Sequence, residues 1–130
     1  MMSLEVSYSE ALDKWTILQL KTSRLPSAVA REAVKEDLEA IQRVWAEHDL
    51  PAPESLPDFA CLGEVNTQLW EVEDALRRHE QALDFGDAFV ALARSVYHLN
   101  DRRSALKRAL DEALGSKRTE WKSYQASEEG

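Results

Sequence analysis

The sequence predicts an all-α domain: a four-helix arrangement dominated by a long antiparallel hairpin of the third and fourth helices, with two N-terminal helices packed on its flank. Apolar residues recur at intervals of three and four, as one face of a helix requires, over most of the chain. Only four glycines and four prolines occur in 130 residues, so helix breakers are few. Residues 84–87 alone separate the last two apolar patterns, and so short a link forces antiparallel packing.

The first two predicted helices each begin after a serine that can serve as N-cap. The first runs from about Ser9 to Ser23 with Ser7 or Ser9 as its cap, and the second runs from about Ala28 to His48 after Ser27. The apolar face of the first helix consists of Leu12, Trp15 and Leu18. The corresponding stripe of the second consists of Val34, Leu38, Ile41, Trp45 and His48. Three prolines between positions 51 and 57 then mark the clearest loop.

The third and fourth predicted helices are the longest. The third runs from about Asp58 or Gly63 to Leu83, and the fourth from about Asp87 to Leu114, before Gly115. The seam of the third helix comprises Leu62, Val65, Leu69, Val72, Leu76, His79 and Leu83. The seam of the fourth comprises Phe89, Leu92, Val96, Leu99, Arg103, Leu106, Leu110 and Ala113. Two such seams joined by a tight turn predict a hairpin resembling a coiled coil.

Composition limits the classes of function. The net charge of −8, from 24 acidic and 16 basic residues, argues against a nucleic-acid partner. One cysteine, Cys61, permits neither an internal disulfide nor a zinc site built from thiolates. The apolar runs are far shorter than the roughly 20 residues of a membrane span, and the N-terminus resembles no secretory signal. We therefore expect a cytoplasmic protein, with residues 1–115 as one helical domain and residues 116–130 as a partly flexible polar tail.

The richest polar stretches of the hairpin are expected to lie at the same height. With the turn centred near Phe85, the segment 69–73 lies level with the segment 97–101. Helical periodicity leaves open whether their polar stripes share one side of the hairpin or occupy opposite flanks. The candidate binding cluster consists of Trp70, Glu73, Asp74, Arg94, Tyr97, Asn100, Asp101 and Arg103.

The same stretches carry a family resemblance. The segment from Leu69 to Tyr124 and the opening VSYSEALDKWTILQLK resemble an uncharacterised family of short bacterial all-helical proteins. Positions that carry the resemblance in the hairpin and beyond include Leu69, Trp70, Glu73, Asp74, Phe85, residues 93–97, Asn100, Asp101, Arg103, Lys107, Lys122, Ser123 and Tyr124. Such proteins are encoded near glycosyltransferase and surface-polysaccharide genes. The resemblance implies a role in envelope polysaccharide assembly without implying an activity.

Several members of the cluster support more than one interpretation. Glu73, Asp74, Asn100 and Asp101 offer oxygen ligands for Mg²⁺. With Arg94, Arg103 or Lys107 holding phosphate, they would make a metal-dependent enzyme acting on a nucleotide or phosphate ester. Alternatively, Glu73 and Asp74 form helical ion pairs with Arg77 and Arg78 on a solvated face. We favour the ion pairs and expect no metal and no cofactor.

Aromatic and basic residues pose similar choices. Trp70 and Tyr97, with Arg94, would suit a carbohydrate or nucleotide-sugar ring, but we favour their use as anchors between helices. His79 is expected to be a hydrogen-bonded residue at the turn rather than a general acid or base. The seam residue Arg103 either binds an anion or fixes the register of the helices, with Glu64, Gln68 and Glu71 within reach.

The sequence contains no strong catalytic signature, such as a phosphate-binding glycine loop or a nucleophile motif. We therefore interpret the chain as a small binding or adaptor protein. A protein partner is expected, with a homodimer and a small anionic ligand as further possibilities. The metal-dependent enzyme and the carbohydrate binder stay as the alternatives.

Overall fold

The computed structural model describes residues 1–115 and confirms the all-α class. Four α-helices follow one another: α1 (Tyr8–Arg24), α2 (Ala28–Ala46), α3 (Pro57–Gln81) and α4 (Asp87–Leu114). A short 3₁₀ turn, Pro53–Ser55, lies between α2 and α3. Helices α3 and α4 pack along each other as the predicted hairpin, α1 contacts both of them, and α2 packs against α1. The expected polar tail, 116–130, lies outside the described residues.

The helix ends follow from local chemistry. The Ser7 hydroxyl accepts a hydrogen bond from the Glu10 backbone N–H at 3.2 Å, and the Ser27 hydroxyl accepts one from Ala30 at 3.2 Å. Each cap satisfies a backbone donor that the first turn of a helix leaves without an intrahelical partner. At the C-terminal end of α4, Gly115 caps the helix with φ of 72°, a left-handed conformation that glycine adopts without strain.

The hydrophobic core joins all four helices at one end of the hairpin. Its buried members are Leu12, Trp15, Trp45, Phe59, Leu62 and Leu110. Trp15 packs edge-to-face against both Trp45 and Phe59, with ring centroids 6.3 and 6.0 Å apart. The Trp45 indole N–H donates to the Pro51 carbonyl oxygen at 3.0 Å and so fastens the loop after α2. These aromatic contacts hold α2 against α1, and α1 against α3.

The part of the hairpin nearest its turn lies outside this core. The buried residues of α3 fall between Phe59 and Asn66, and those of α4 between Ser104 and Asp111. Within the described segment 67–103, no residue is buried. The hairpin therefore has a packed end, which α1 covers, and an exposed arm. Among residues 1–115, no helix combines the length and the hydropathy that crossing a bilayer requires.

Candidate functional site

A buried carboxylate on α1 is the centre of the polar contacts between helices. Asp13 is only 3% exposed. Its carboxylate accepts from the Arg103 Nε at 3.0 Å and from a second guanidinium nitrogen of the same side chain. It also accepts from the Asn66 amide at 2.8 Å, and this amide donates to the Thr16 hydroxyl as well, at 2.8 Å. One side chain of α1 thus binds α3 and α4 together.

Further bonds extend these contacts toward the N-terminus of α1. The Lys107 ammonium donates to Glu10 at 2.7 Å and lies 3.8 Å from the Asp13 carboxylate. The Ser9 backbone N–H and hydroxyl donate to Asp111 at 2.9 and 2.8 Å. The α1–hairpin network is the set of residues joined by these bonds: Ser9, Glu10, Asp13, Thr16, Asn66, Arg103, Lys107 and Asp111. It fixes α1 both along and across the hairpin.

The environment of Asp13 keeps its side chain ionised. Burial of the carboxyl by itself raises its pKa, because a charge is poorly solvated in the interior. Hydrogen bonds from Arg103 and Asn66, together with the positive charges of Arg103 and Lys107, outweigh burial. The pKa of Asp13 is consequently held below its ordinary value of 3.8.

This arrangement identifies a structural use for Arg103. Asp13 on α1 accepts two hydrogen bonds from its guanidinium, whereas the acceptors predicted from the sequence, Glu64, Gln68 and Glu71, lie on α3. Within the described network, the carboxylates of Glu10, Asp13 and Asp111 accept the bonds donated by the side chains of Arg103, Lys107 and Ser9. The bidentate contact between Arg103 and Asp13 supports the register interpretation over anion binding.

The predicted cluster on the arm is only partly brought together. Glu73 and Asp74 lie 3.8 and 3.2 Å from Arg77, so both carboxylates form helical ion pairs, but the cation beside Asp74 is Arg77 and not the predicted Arg78. Asp101 is exposed on α4, and Asn100 beside it is partly buried. Among residues 1–115, no group of three or more His, Cys, Asp or Glu side chains is arranged to hold a metal ion.

Tyr97 on the arm is not the anchor between helices that the sequence predicts. It is 71% exposed, so it anchors no helix within residues 1–115, and Arg94 is exposed one turn away. Trp70 is partly buried. The reason is that α1 and α2 pack at the end of the hairpin away from the turn, where Trp15 and Trp45 fill the core.

His79 is held by the turn, as expected. Its Nδ1 lies 3.1 Å from the Asp84 backbone oxygen, and its ring packs edge-to-face on Phe89 at 6.1 Å. The side chain is 22% exposed. These contacts explain the position of His79 by local structure.

A concave surface between α1 and α2 is not predicted by the sequence. A groove of about 610 Å³ runs between α1 and α2. Its lining is mostly apolar and includes Val6, Ala11, Ile17, Ala40, Ile41, Val44 and Leu50, with Glu10, Lys14 and His48 among the polar members. Val44 is 54% exposed although it faces this groove. The sequence feature that could have indicated the groove is the apolar stripe of α2. Ala40 and Val44 extend this stripe to one side of Ile41 and Trp45, which makes it wider than contact with one helix requires.

Comparisons with known protein families, with characterised proteins and with solved structures find no match for this chain.

Proposed function

We propose that the protein is a helical binding module, an adaptor that holds an amphipathic helix of a partner protein in the groove between α1 and α2. The observation that supports this proposal is the groove itself: about 610 Å³ of mostly apolar concave surface on a strongly charged chain. Concave apolar surfaces of this size are the usual locations of binding sites. Open grooves between helices receive the apolar face of another helix in many complexes.

The residues of α2 that line the groove are spaced by about one helical turn, and this spacing suits contact with a docked helix. Ala40 and Val44 lie one turn apart on α2, Ile41 lies beside Ala40 on the same face, and His48 lies just beyond the end of the helix. Ile17 on α1 provides the opposite wall. A helix that docks along this line would contribute apolar residues at positions i, i+3 or i+4, and i+7. Burying the exposed part of Val44 and its neighbours is the main favourable contribution to binding.

Charge around the groove favours a basic partner. Asp37 on α2 and Glu47 just after its end are exposed, one turn from Ile41 and Val44 respectively. Lys14 is the cation among the lining residues. With a net charge of −8 on the chain, a peptide with Lys and Arg on its polar face is attracted over a distance. We therefore take the partner segment to be a basic amphipathic helix.

The family resemblance supports a setting for this adaptor. Similar short bacterial proteins are encoded near genes for glycosyltransferases and surface polysaccharides. On that basis we propose that the partner acts in envelope polysaccharide biosynthesis and that binding takes place in the cytoplasm.

The test uses peptides, because an amphipathic helix is the probe that the groove specifies. A displayed library of designed amphipathic helices with Lys and Arg on the polar face is selected against the protein. Affinities of the selected peptides are then measured by fluorescence anisotropy for two variants, Val44→Glu and Val29→Glu. Both valines are exposed on α2, at 54% and 82%, but only Val44 lines the groove.

The proposal expects Val44→Glu to weaken binding about tenfold or more, because a carboxylate enters the apolar contact. Val29→Glu should bind like the unmodified protein. A library that yields no binder, or binders indifferent to Val44→Glu, contradicts the proposal. Selected peptides should also lose affinity as salt rises, since part of the attraction is between exposed charges.

A further inference from the structure

The outer face of α4 presents an alternating apolar and charged pattern. It is formed by Val90, Arg94, Tyr97, Asp101 and Ala105, which recur every three or four residues and so lie along one line of the helix. All five are exposed, Val90 by 49% and Tyr97 by 71%. We call this line the α4 outer stripe. A valine and a tyrosine exposed one heptad apart are candidates for contact with another helix.

The charges of the α4 outer stripe are arranged about Tyr97. Arg94 lies three residues before the tyrosine and Asp101 lies four residues after it. Within the described part of the chain, neither of these two side chains makes an ion pair or a hydrogen bond. A stripe with a cation on one side of its centre and an anion on the other is complementary to itself when one copy is reversed.

We infer that two copies of this chain associate through the α4 outer stripe, with their α4 helices antiparallel about a two-fold axis beside Tyr97. In this arrangement Arg94 of each copy faces Asp101 of the other, so both ion pairs form at once. The two Tyr97 rings meet at the centre, and Val90 of each copy packs against Ala105 of the other. A parallel arrangement would place Arg94 against Arg94, and like charges there would oppose it.

Within residues 1–115, the fold leaves this face of α4 open to such a contact. The α4 side chains that bind α1, namely Arg103, Lys107 and Asp111, belong to another face, roughly 120° around the helix axis from the stripe. Helices packed at an ordinary separation of about 8–10 Å can therefore occupy both faces of α4. The groove between α1 and α2 takes no part, so this inference and the proposed function fail or succeed separately.

The contact is of modest size. From Val90 to Ala105 the stripe is about 22 Å long at 1.5 Å per residue. One helix pair of that length gives an interface at the low end of the range for specific complexes. We therefore expect a dimer whose population rises with protein concentration, rather than an obligate one.

Sedimentation over a range of protein concentrations, combined with charge exchange, tests the inference. Arg94→Asp and Asp101→Arg should each raise the dimer dissociation constant about tenfold or more, because each brings like charges together. The double variant Arg94→Asp/Asp101→Arg should restore dimerisation, since both ion pairs return with their signs exchanged. Arg102→Asp is the matched control: the residue is exposed on α4 but lies off the stripe, and its replacement should change little.

Cross-linking gives a second readout that does not depend on charge. In a Cys61→Ser background, Tyr97→Cys should form a disulfide-linked dimer under mild oxidation, because the residue lies beside the axis. Ala91→Cys, also exposed on α4 but off the stripe, should cross-link much less. A chain that stays monomeric at all concentrations overturns the inference. So does a dimer that ignores the single charge exchanges, or a double variant that fails to recover.

Discussion

Arg103 on α4 and Asp13 on α1 form a bidentate ion pair at the packed end of the hairpin. The pair joins residues 90 positions apart in the chain. Asn66 and Lys107 approach the same carboxylate, so three helices depend on one acceptor. Such a pair specifies how α1 lies on the hairpin, because any shift along the helix would leave a buried charge without its partner.

The first prediction concerns this pair. Asp13→Asn removes the negative charge that Arg103 and Lys107 share, and we expect a loss of about 3 kcal/mol in the free energy of unfolding. Urea unfolding followed by circular dichroism measures it. Arg103→Met should also destabilise the fold, and the double variant should cost less than the two single losses combined. Arg102→Met, on the exposed side of α4, is the control and should change stability by less than about 0.5 kcal/mol. Strict additivity would show that the two side chains act independently.

The second prediction concerns pH. The folded-state pKa of Asp13 lies below its ordinary value of 3.8, so the unfolded chain binds the proton more tightly. The stabilisation from Asp13 is therefore fully present well above pH 3.8 and is lost as the pH falls through 3.8 toward the folded value. Unfolding of the unmodified protein and of Asp13→Asn, measured from neutral to acid pH, should show their stabilities converging at the acid end. A difference independent of pH would contradict the assignment.

The third prediction concerns the start of α1. Asp111 accepts from both the backbone N–H and the hydroxyl of Ser9, and both partners are fully buried. Asp111→Ala leaves the buried Ser9 N–H without its acceptor and the Ser9 hydroxyl with only the Ser7 hydroxyl as partner, so we expect a loss of about 2–3 kcal/mol. Ser9→Ala should cost less, because the backbone N–H keeps its bond. Thermal unfolding can rank the variants, with Glu112→Ala, an exposed neighbour, as the control. Equal melting temperatures for Asp111→Ala and Glu112→Ala would refute this account.

The fourth prediction compares two tryptophans of the core. The Trp45 indole N–H donates to the Pro51 oxygen, whereas the Trp15 indole N–H is buried without an acceptor among the described residues. Replacing either by phenylalanine removes similar volume, but only Trp45→Phe leaves a carbonyl oxygen unbonded. We expect Trp45→Phe to be more destabilising by about 1 kcal/mol. If Trp15→Phe proves the more damaging, packing rather than hydrogen bonding decides the order.

Much of the fold could be predicted because helix signals are local. Apolar spacing, serine caps and the short link placed all four helices, and α4 begins at Asp87 and ends at Leu114 as expected. The hairpin followed from the link between α3 and α4. The apolar spacing does not predict the position of α1, because a periodic pattern does not indicate which hairpin residues a separate helix will cover.

The contacts of the candidate site are likewise only partly predictable from the sequence. The seam position of Arg103 predicts a cation that needs an acceptor on the neighbouring helix of the hairpin, but the acceptor Asp13 lies on α1. Tyr97 was expected to anchor a helix and is exposed, because α1 and α2 pack beyond it. The groove forms only where α1 and α2 lie side by side. The apolar pattern of each helix therefore identifies lining residues, but it does not predict that the two sets line one groove.

The way in which α2 is attached to the rest of the molecule bears on how the groove can adjust to a ligand. Of the residues of α2, all of them described, only Trp45 near its C-terminal end is buried. The opposite end follows a three-residue connection, residues 25–27, and carries only exposed or half-buried side chains. Trp45 is thus the buried anchor of α2, whereas hydrogen bonds and ion pairs join α1 to α3 and α4. We therefore expect any adjustment of the groove to ligand helices of different width to come from α2 rather than from α1.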